Sequence, residues 1–139
     1  MGRRNARESS MKLLYQLELN KDFNEETIES FFNNEDFSNE DFSKDEQKYI
    51  DHSIRTIKEK LNVIDENIEK HINGWKKDRL SKVDLAILRI AIYEIMYRDD
   101  IPTEVSINES IEISKKFSSD ESSKFINGVL GTFVRKNYE

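Results

Sequence analysis

Residues 81–98 read SKVDLAILRIAIYEIMYR, and the expected architecture follows from this segment. After Val83 its charged residues are only four: Asp84, Arg89, Glu94 and Arg98. A helix that is apolar nearly all round is normally central and surrounded by other elements. Ser81 and Asp84 have the spacing of an N-cap residue and an acidic N3 residue. The stretch therefore predicts a central helix that begins after Ser81.

Apolar residues recur with a helical period over much of the remaining chain. We predict helices over about 3–19, 25–32, from about 45 to a stop at Gly74, 103–117, and from about 120 onward. Asn62 and Asp65 have the spacing of a fresh helix start, so the third of these segments is one helix or two with a bend. One proline, four glycines and the lack of strand patterns indicate an all-α fold. The 139 residues are expected to form a single domain, 1–139, of six to seven helices.

Two glycines fall in the middle of the last predicted helix, at positions 128 and 131. A glycine inside a helix costs roughly 1 kcal/mol relative to alanine. We therefore expect Gly128 and Gly131 to allow the last helix to approach a neighbour closely, and the helix over 81–98 is the expected neighbour.

Residues 34–43 contain the sequence NEDFS twice in tandem. This pattern predicts a polar connection with two aromatic anchors, Phe37 and Phe42. The segment lacks the tight-turn glycine and the terminal glutamate of a calcium loop, so no calcium site is predicted.

The composition argues against several classes of function. The chain has no cysteine, and therefore no disulfide, thiol nucleophile or thiolate metal site. Ser9 and Lys12 match a short serine-enzyme pattern whose companion motifs are missing, and His52 and His71 stand apart. No apolar run approaches the roughly 20 residues of a membrane span, and no signal peptide is recognisable. We predict a cytoplasmic protein that is not an enzyme and has no catalytic residue, metal or cofactor.

Charge is segregated along the chain. The net charge is −6, yet residues 1–12 contain four basic residues and one acid, whereas residues 18–51 contain twelve acids and three lysines. Such segregation is often functional. The acidic majority argues against general nucleic-acid binding, while the basic N-terminus is a candidate for a local contact.

The first predicted helix carries a second stripe beside its apolar one. Arg4, Arg7, Met11 and Tyr15 follow each other at helical spacing, and Arg3 lies next to them. Guanidinium groups bind phosphates and stack on bases, and tyrosine offers a stacking platform. An exposed flank of this composition predicts a site for single-stranded nucleic acid. The alternative is a frayed terminus whose arginines only solubilise it.

The segment SSDESSKF, residues 118–125, is a second candidate site. It has the pattern of a helix start, where free N–H groups can bind an anion, and Lys124 and Phe125 add a charge and a ring. Asp120 and Glu121 oppose a phosphate at the cap itself. The alternative is an ordinary N-cap with Phe125 in the core.

Three stretches resemble one family of proteins: RRNARESSMKLLYQLE (3–18), SKVDLAILRIAIYEIMYRDDIPTEVSINESIEISKKF (81–117) and SSDESSKFINGVLGTFVRK (118–136). The resemblance is to the bacterial transcription antitermination factors of the NusB family, and it spans almost the whole chain apart from about residues 20–60. It implies an all-α fold of two packed helical bundles without catalytic activity. It also implies binding of the single-stranded boxA element of ribosomal RNA leader transcripts together with the small-subunit ribosomal protein NusE. The assembled complex contains other Nus factors and RNA polymerase.

The resemblance also implies RNA-binding residues. The arginine-rich N-terminus of the family corresponds to Arg3, Arg4 and Arg7, and its helix-one tyrosine to Tyr15. Its Lys-Phe pair corresponds to Lys124 and Phe125. Glu121 stands where an aspartate is familiar, and Asp84 stands where a glutamate is familiar. The predicted RNA-binding set is Arg3, Arg4, Arg7, Tyr15, Glu121, Lys124 and Phe125.

Other functions stay open at this point. One is the RNA-binding module of ribosomal RNA cytosine methyltransferases, which requires a cofactor domain that these residues do not contain. A protein-only adaptor leaves Arg4, Arg7 and Tyr15 without a role, and a small carboxylate hydrolase has no motif behind it. A homodimer formed through exposed Met11 and Tyr15 is a further possibility. Candidate surfaces for NusE are the acidic region and the polar residues of the helices over 81–98 and 103–117.

Overall fold

The structure is a computed structural model that describes residues 2–33, 42–74 and 76–139. Over these ranges it contains α1 (Gly2–Leu19), α2 (Glu25–Phe32), α3 (Lys44–Glu59), α4 (Leu61–Glu69), α5 (Lys82–Tyr97), α6 (Thr103–Phe117) and α7 (Asp120–Tyr138). A short 3₁₀ turn, Lys77–Arg79, precedes α5. The described residues contain no strand, so the prediction of an all-α fold is confirmed.

Helix α5 is the centre of the molecule, as its sequence predicts. Every residue from Asp84 to Ile95 is buried, and α1, α3, α4, α6 and α7 all pack against this helix. The hydroxyl of Ser81 accepts a hydrogen bond from the backbone N–H of Asp84 at 3.0 Å, which confirms the predicted N-cap. Helices α1, α3 and α4 form one bundle with α5, and α6 and α7 form a second with the same helix.

The segment after residue 43 forms two helices, α3 and α4, that meet at Lys60. The predicted bend is therefore present, but the predicted cap is wrong, because α4 begins without a side-chain cap. Asp65 instead turns into the interior, where its two oxygens accept hydrogen bonds from the Arg89 guanidinium at 2.9 and 2.8 Å. The same guanidinium donates to Glu18 at 2.8 Å. A buried cation on the central helix is a better partner for this carboxylate than an exposed helix end.

The expectation of close packing at the two glycines of α7 is wrong. A methyl group added at Gly128 would meet no atom within 4 Å. At Gly131 it would meet only the Arg135 Nη1 atom of the same helix, at 3.3 Å. Helix α7 buries its other side, through Ile126, Leu130 and Phe133, so these glycines lie away from its packed face.

Most of the polar connection predicted over residues 34–43 lies outside the described residues. Phe37 also lies outside them. Phe42 is described and packs half-buried against the core. None of the described helices has the length and the apolar character that a membrane span requires.

Candidate nucleic-acid interface

The first turns of α1 place three arginines in different surroundings. The guanidinium of Arg3 lies over the ring of Tyr49 on α3, 5.2 Å from the ring centroid. Arg4 is exposed and donates two hydrogen bonds to Glu109 of α6, from its Nε and Nη2 atoms to the two carboxylate oxygens, each at 2.7 Å. These hydrogen bonds from Arg4 lower the pKa of Glu109, although partial burial opposes the shift.

Arg7 is buried, and its guanidinium lies in the interior between α1, α5 and α6. Its Nε and Nη2 atoms donate to the carboxylate of Glu94 at 2.7 and 3.1 Å, and its Nη1 lies 3.7 Å from Glu109. The same Glu94 accepts hydrogen bonds from the hydroxyls of Tyr49 and, at 2.7 Å, Ser106.

The predicted exposed flank of α1 is therefore wrong at two of its four positions. Arg7 and Met11 are only 4% and 3% exposed. Helix α1 packs against both α3 and α5, so the sector that it buries is wider than its apolar stripe. Arg7 lies within this sector because Glu94 and Glu109 neutralise its charge. Tyr15 is half-buried at the edge of the core, and Arg4 is exposed.

The structure adds a cluster of cations and a ring that the sequence did not reveal. The Nζ atoms of Lys12 and Lys116 lie 5.3 and 5.2 Å from the ring centroid of Phe117, which ends α6. Lys116 also donates to both carboxylate oxygens of Glu8 at 3.0 and 3.2 Å. The cluster joins residues about a hundred positions apart in the chain, and no local pattern indicates such a contact. The only sequence signal was the excess of basic residues that includes Lys12.

The start of α7 supplies the remaining predicted residues. Ser119 caps the helix by accepting from the backbone N–H of Ser122 at 3.1 Å, so the predicted helix start is confirmed. Glu121 and Lys124 are exposed, and Phe125 is half-buried. The hydroxyl of Ser122 donates to Asp84 at 3.0 Å, which ties this turn to the first turn of α5.

We group the cations and rings of α1, the end of α6 and the start of α7 under one name, the basic surface. Its members are Arg3, Arg4, Lys12, Tyr15, Lys116, Phe117, Lys124 and Phe125. Arg4 and Tyr15 lie about 16 Å apart along the axis of α1. Arg7 is absent from this surface, and the contacts of Lys12 and Lys116 with Phe117 join α1 to the end of α6. Alternating cations and rings are typical of sites that bind single-stranded nucleic acid.

The basic surface is partly neutralised by the protein itself. Arg4 is paired with Glu109 and Lys116 with Glu8. Within the described part of the chain, Lys12 and Lys124 form no ion pair. Arg3 forms no ion pair among the described residues either, but it is half-buried and lies over the Tyr49 ring. The two exposed lysines are therefore the cations most readily available to an incoming phosphate.

The fold and this surface define an all-α protein with a candidate nucleic-acid interface. The chain belongs to the NusB family, which matches residues 4–135, and the resemblance predicted from the sequence is confirmed. The transcription antitermination protein NusB of Ruminiclostridium cellulolyticum is 48% identical over 130 residues, covering 94% of this chain and 86% of that protein.

Solved structures agree with this membership. The structure of T. maritima NusB matches with a TM-score of 0.85 and 36% identity, covering 99% of this chain and 93% of that one. A chain from a crystal structure of the antitermination factors NusB and NusE in complex with double-stranded RNA matches with a TM-score of 0.78. It is 24% identical and covers 97% of both chains, a likeness that shows a shared fold.

Proposed function

We propose that this antitermination protein binds the single-stranded boxA element of ribosomal RNA leader transcripts through its basic surface, together with the ribosomal protein NusE. The observation that carries the proposal is the placement of Lys12 and Lys116 over the ring of Phe117. This cluster joins α1 to the end of α6, just before α7 begins with the turn that carries Lys124 and Phe125. One chain of the same fold comes from a complex of the antitermination factors NusB and NusE with double-stranded RNA. That complex supports RNA and NusE as the two partners. Other Nus factors and RNA polymerase complete the assembly in this proposal.

The side chains of the basic surface take three roles. Arg3, Arg4 and Lys124 contact phosphates, because guanidinium and ammonium groups donate charge-assisted hydrogen bonds to anionic oxygens. Tyr15 and Phe125 stack on bases. Lys12 contacts a further phosphate between these groups, and Lys116, which is paired with Glu8, adds positive charge.

Two residues predicted to bind RNA take other roles in this proposal. Glu121, exposed beside Phe125 on α7, offers a carboxylate that accepts hydrogen bonds from base amino groups. Arg7 is buried on Glu94, so we propose that it positions α1 rather than contacting phosphate. Self-association through Tyr15 stays a prediction, and buried Met11 does not contribute to it.

Titration with boxA RNA and a scrambled control, with and without NusE, tests the function. Each phosphate contact to a single strand contributes about 0.7 to the slope of log affinity against log salt. The Lys12→Ala/Lys124→Ala double variant should therefore bind boxA more weakly and with a slope shallower by about 1.4. Lys60→Ala, at an exposed position between α3 and α4, is the matched control.

An unchanged affinity and slope in the double variant would overturn the proposal. If the protein bound RNA only when NusE was present, and the Lys12→Ala/Lys124→Ala variant had the same affinity, the result would favour a protein-only adaptor. The module of a cytosine methyltransferase is disfavoured, because the matched relatives are antitermination proteins and 48% identical over nearly all of this chain.

A further inference from the structure

The tripeptide Ile-Asn-Gly occurs twice in the chain, at residues 72–74 and 126–128. Asparagine is among the thermolabile residues of proteins, because the backbone nitrogen that follows it can attack its side-chain amide. A following glycine has no Cβ to hinder this attack. The two copies therefore have the same local sequence for this reaction, and the fold is what distinguishes them.

The first copy lies in the loop between α4 and α5. Its asparagine and glycine are exposed, and both have a left-handed backbone, with φ of 52° at Asn73 and 85° at Gly74. Within the described part of the chain, neither the Asn73 side chain nor the Gly74 N–H forms a hydrogen bond. A methyl group added at Gly74 would meet no atom within 4 Å, so the attack on the Asn73 amide is not hindered by neighbouring groups.

The second copy lies inside α7, where Asn127 and Gly128 are also exposed. In a helix interior, each backbone N–H donates to the carbonyl four residues earlier, so the attacking nitrogen of Gly128 is occupied. Helical side chains also tilt toward the N-terminus of the helix, away from the nitrogen that follows. Reaction at Asn127 therefore requires local opening of α7.

Cations surround the copy in the loop. A hollow of about 390 Å³ lies beside it, and its described lining consists of Asn73, Gly74, Lys76 and Arg79. Lys76 and Arg79 are exposed and form no ion pair with any described residue. Positive charge near an N–H favours the deprotonated form, and it stabilises the oxyanion that forms when this nitrogen attacks a carbonyl carbon. The electrostatics of the loop thus favour the same reaction as its backbone.

We propose that Asn73 is a site of spontaneous deamidation and that α7 protects Asn127 from the same reaction. The backbone nitrogen of Gly74 loses its proton to solvent and bonds to the side-chain carbonyl carbon of Asn73. The bond from that carbon to the amide nitrogen breaks, and the nitrogen leaves with a proton as ammonia. Water then opens the cyclic imide at one of its two carbonyls, which gives aspartate or isoaspartate. The reaction consumes one water and requires no RNA or protein partner.

The product changes the chemistry of the loop. A neutral amide becomes a carboxylate at the hollow that Lys76 and Arg79 line, so the two cations gain an anionic partner. The isoaspartate form also lengthens the backbone by one methylene group just before the turn that leads into α5.

Peptide mapping by mass spectrometry, after incubation of the full chain at mildly alkaline pH, tests the proposal. The peptide that contains Asn73 should become heavier by one dalton at least about ten-fold faster than the peptide that contains Asn127. In guanidinium chloride, which unfolds the chain, the two copies should react at similar rates. Asn73→Gly keeps the left-handed backbone accessible, and it should abolish both the fast reaction and the acidic species that anion-exchange chromatography separates.

If Asn73 stayed intact in the folded protein while both copies reacted in the unfolded chain, the proposal would be overturned. Equal rates at Asn73 and Asn127 in the folded protein would also overturn it, because the backbone conformation would then have no influence. A rate difference that persisted in guanidinium chloride would assign the reactivity to the flanking sequence and would contradict the role of the fold.

Discussion

The guanidinium of Arg7 holds the carboxylate of Glu94 through two hydrogen bonds, at 2.7 and 3.1 Å, with side-chain exposures of only 5% and 1%. One turn earlier, Arg4 forms the same bidentate pair of hydrogen bonds with Glu109 at the surface. Two arginines on one stripe of α1 thus take different roles. Arg7 joins the helices, whereas Arg4 can exchange its Glu109 partner for an external anion.

Substitutions at these two arginines should separate stability from binding. Arg7→Met leaves Glu94 buried without its cation, and breaking such a pair typically costs about 3–5 kcal/mol of unfolding free energy. Arg4→Ala should change stability little, because exposed ion pairs contribute little, yet it should weaken boxA binding. Urea unfolding and RNA titration of both variants check this. Equal stability losses in the two variants would contradict the distinction.

Glu109 should compete with RNA for Arg4. Glu109→Gln removes the negative charge that now occupies the Arg4 fork, so boxA affinity should rise several-fold at low salt and the salt slope should steepen. Glu104→Gln removes an exposed acid from the first turn of the same helix, where it forms no ion pair among the described residues, and serves as control. Unchanged RNA affinity in Glu109→Gln would show that Arg4 does not exchange carboxylate for phosphate.

Acid should weaken the fold partly through Glu18. Burial acts to raise the pKa of Glu18, but hydrogen bonds from Arg89 and Lys21 outweigh it, and the pKa lies below its usual value of 4.5. A lowered pKa stabilises the folded state above about pH 4.5, and this contribution disappears as the pH falls through the folded pKa. The stability difference between wild type and Glu18→Gln should therefore shrink with acidification. Urea unfolding across this pH range measures the difference, with the exposed Glu26→Gln variant as control. A stability difference between wild type and Glu18→Gln that did not change with pH would refute the prediction.

Gly128→Ala should stabilise the protein. The added methyl group meets open space, so helix propensity alone decides the sign, and the gain should be about 1 kcal/mol. Gly131→Ala should gain less, because its methyl group displaces the Arg135 guanidinium. Thermal unfolding measures both. A destabilised Gly128→Ala would mean that α7 packs more closely there than the structure shows.

Local patterns were sufficient to predict the helices. The apolar period and the Ser81 cap located α5, because both signals depend on neighbouring positions. The other predicted helix bounds agree closely except one: the helix expected to stop at Gly74 ends at Glu69. The errors concern long-range pairing. The burial of Arg7 depends on Glu94, 87 positions away, and the Lys12–Phe117 contact depends on how α6 crosses α1. Likewise, the partner of Asp65 became known only once α4 was placed against Arg89.

Glu94 also has a consequence for how the protein meets its ligand. Its carboxylate on α5 accepts hydrogen bonds from α1, α3 and α6, through Arg7, Tyr49 and Ser106. If helix α1 detached from α5, the carboxylate of Glu94 would remain buried without its cation. The conformational entropy of the arginine end of α1 is therefore lost during folding rather than on binding. The amide protons of α1 around Arg7 should accordingly exchange with solvent as slowly as those of α5, through opening of the whole molecule.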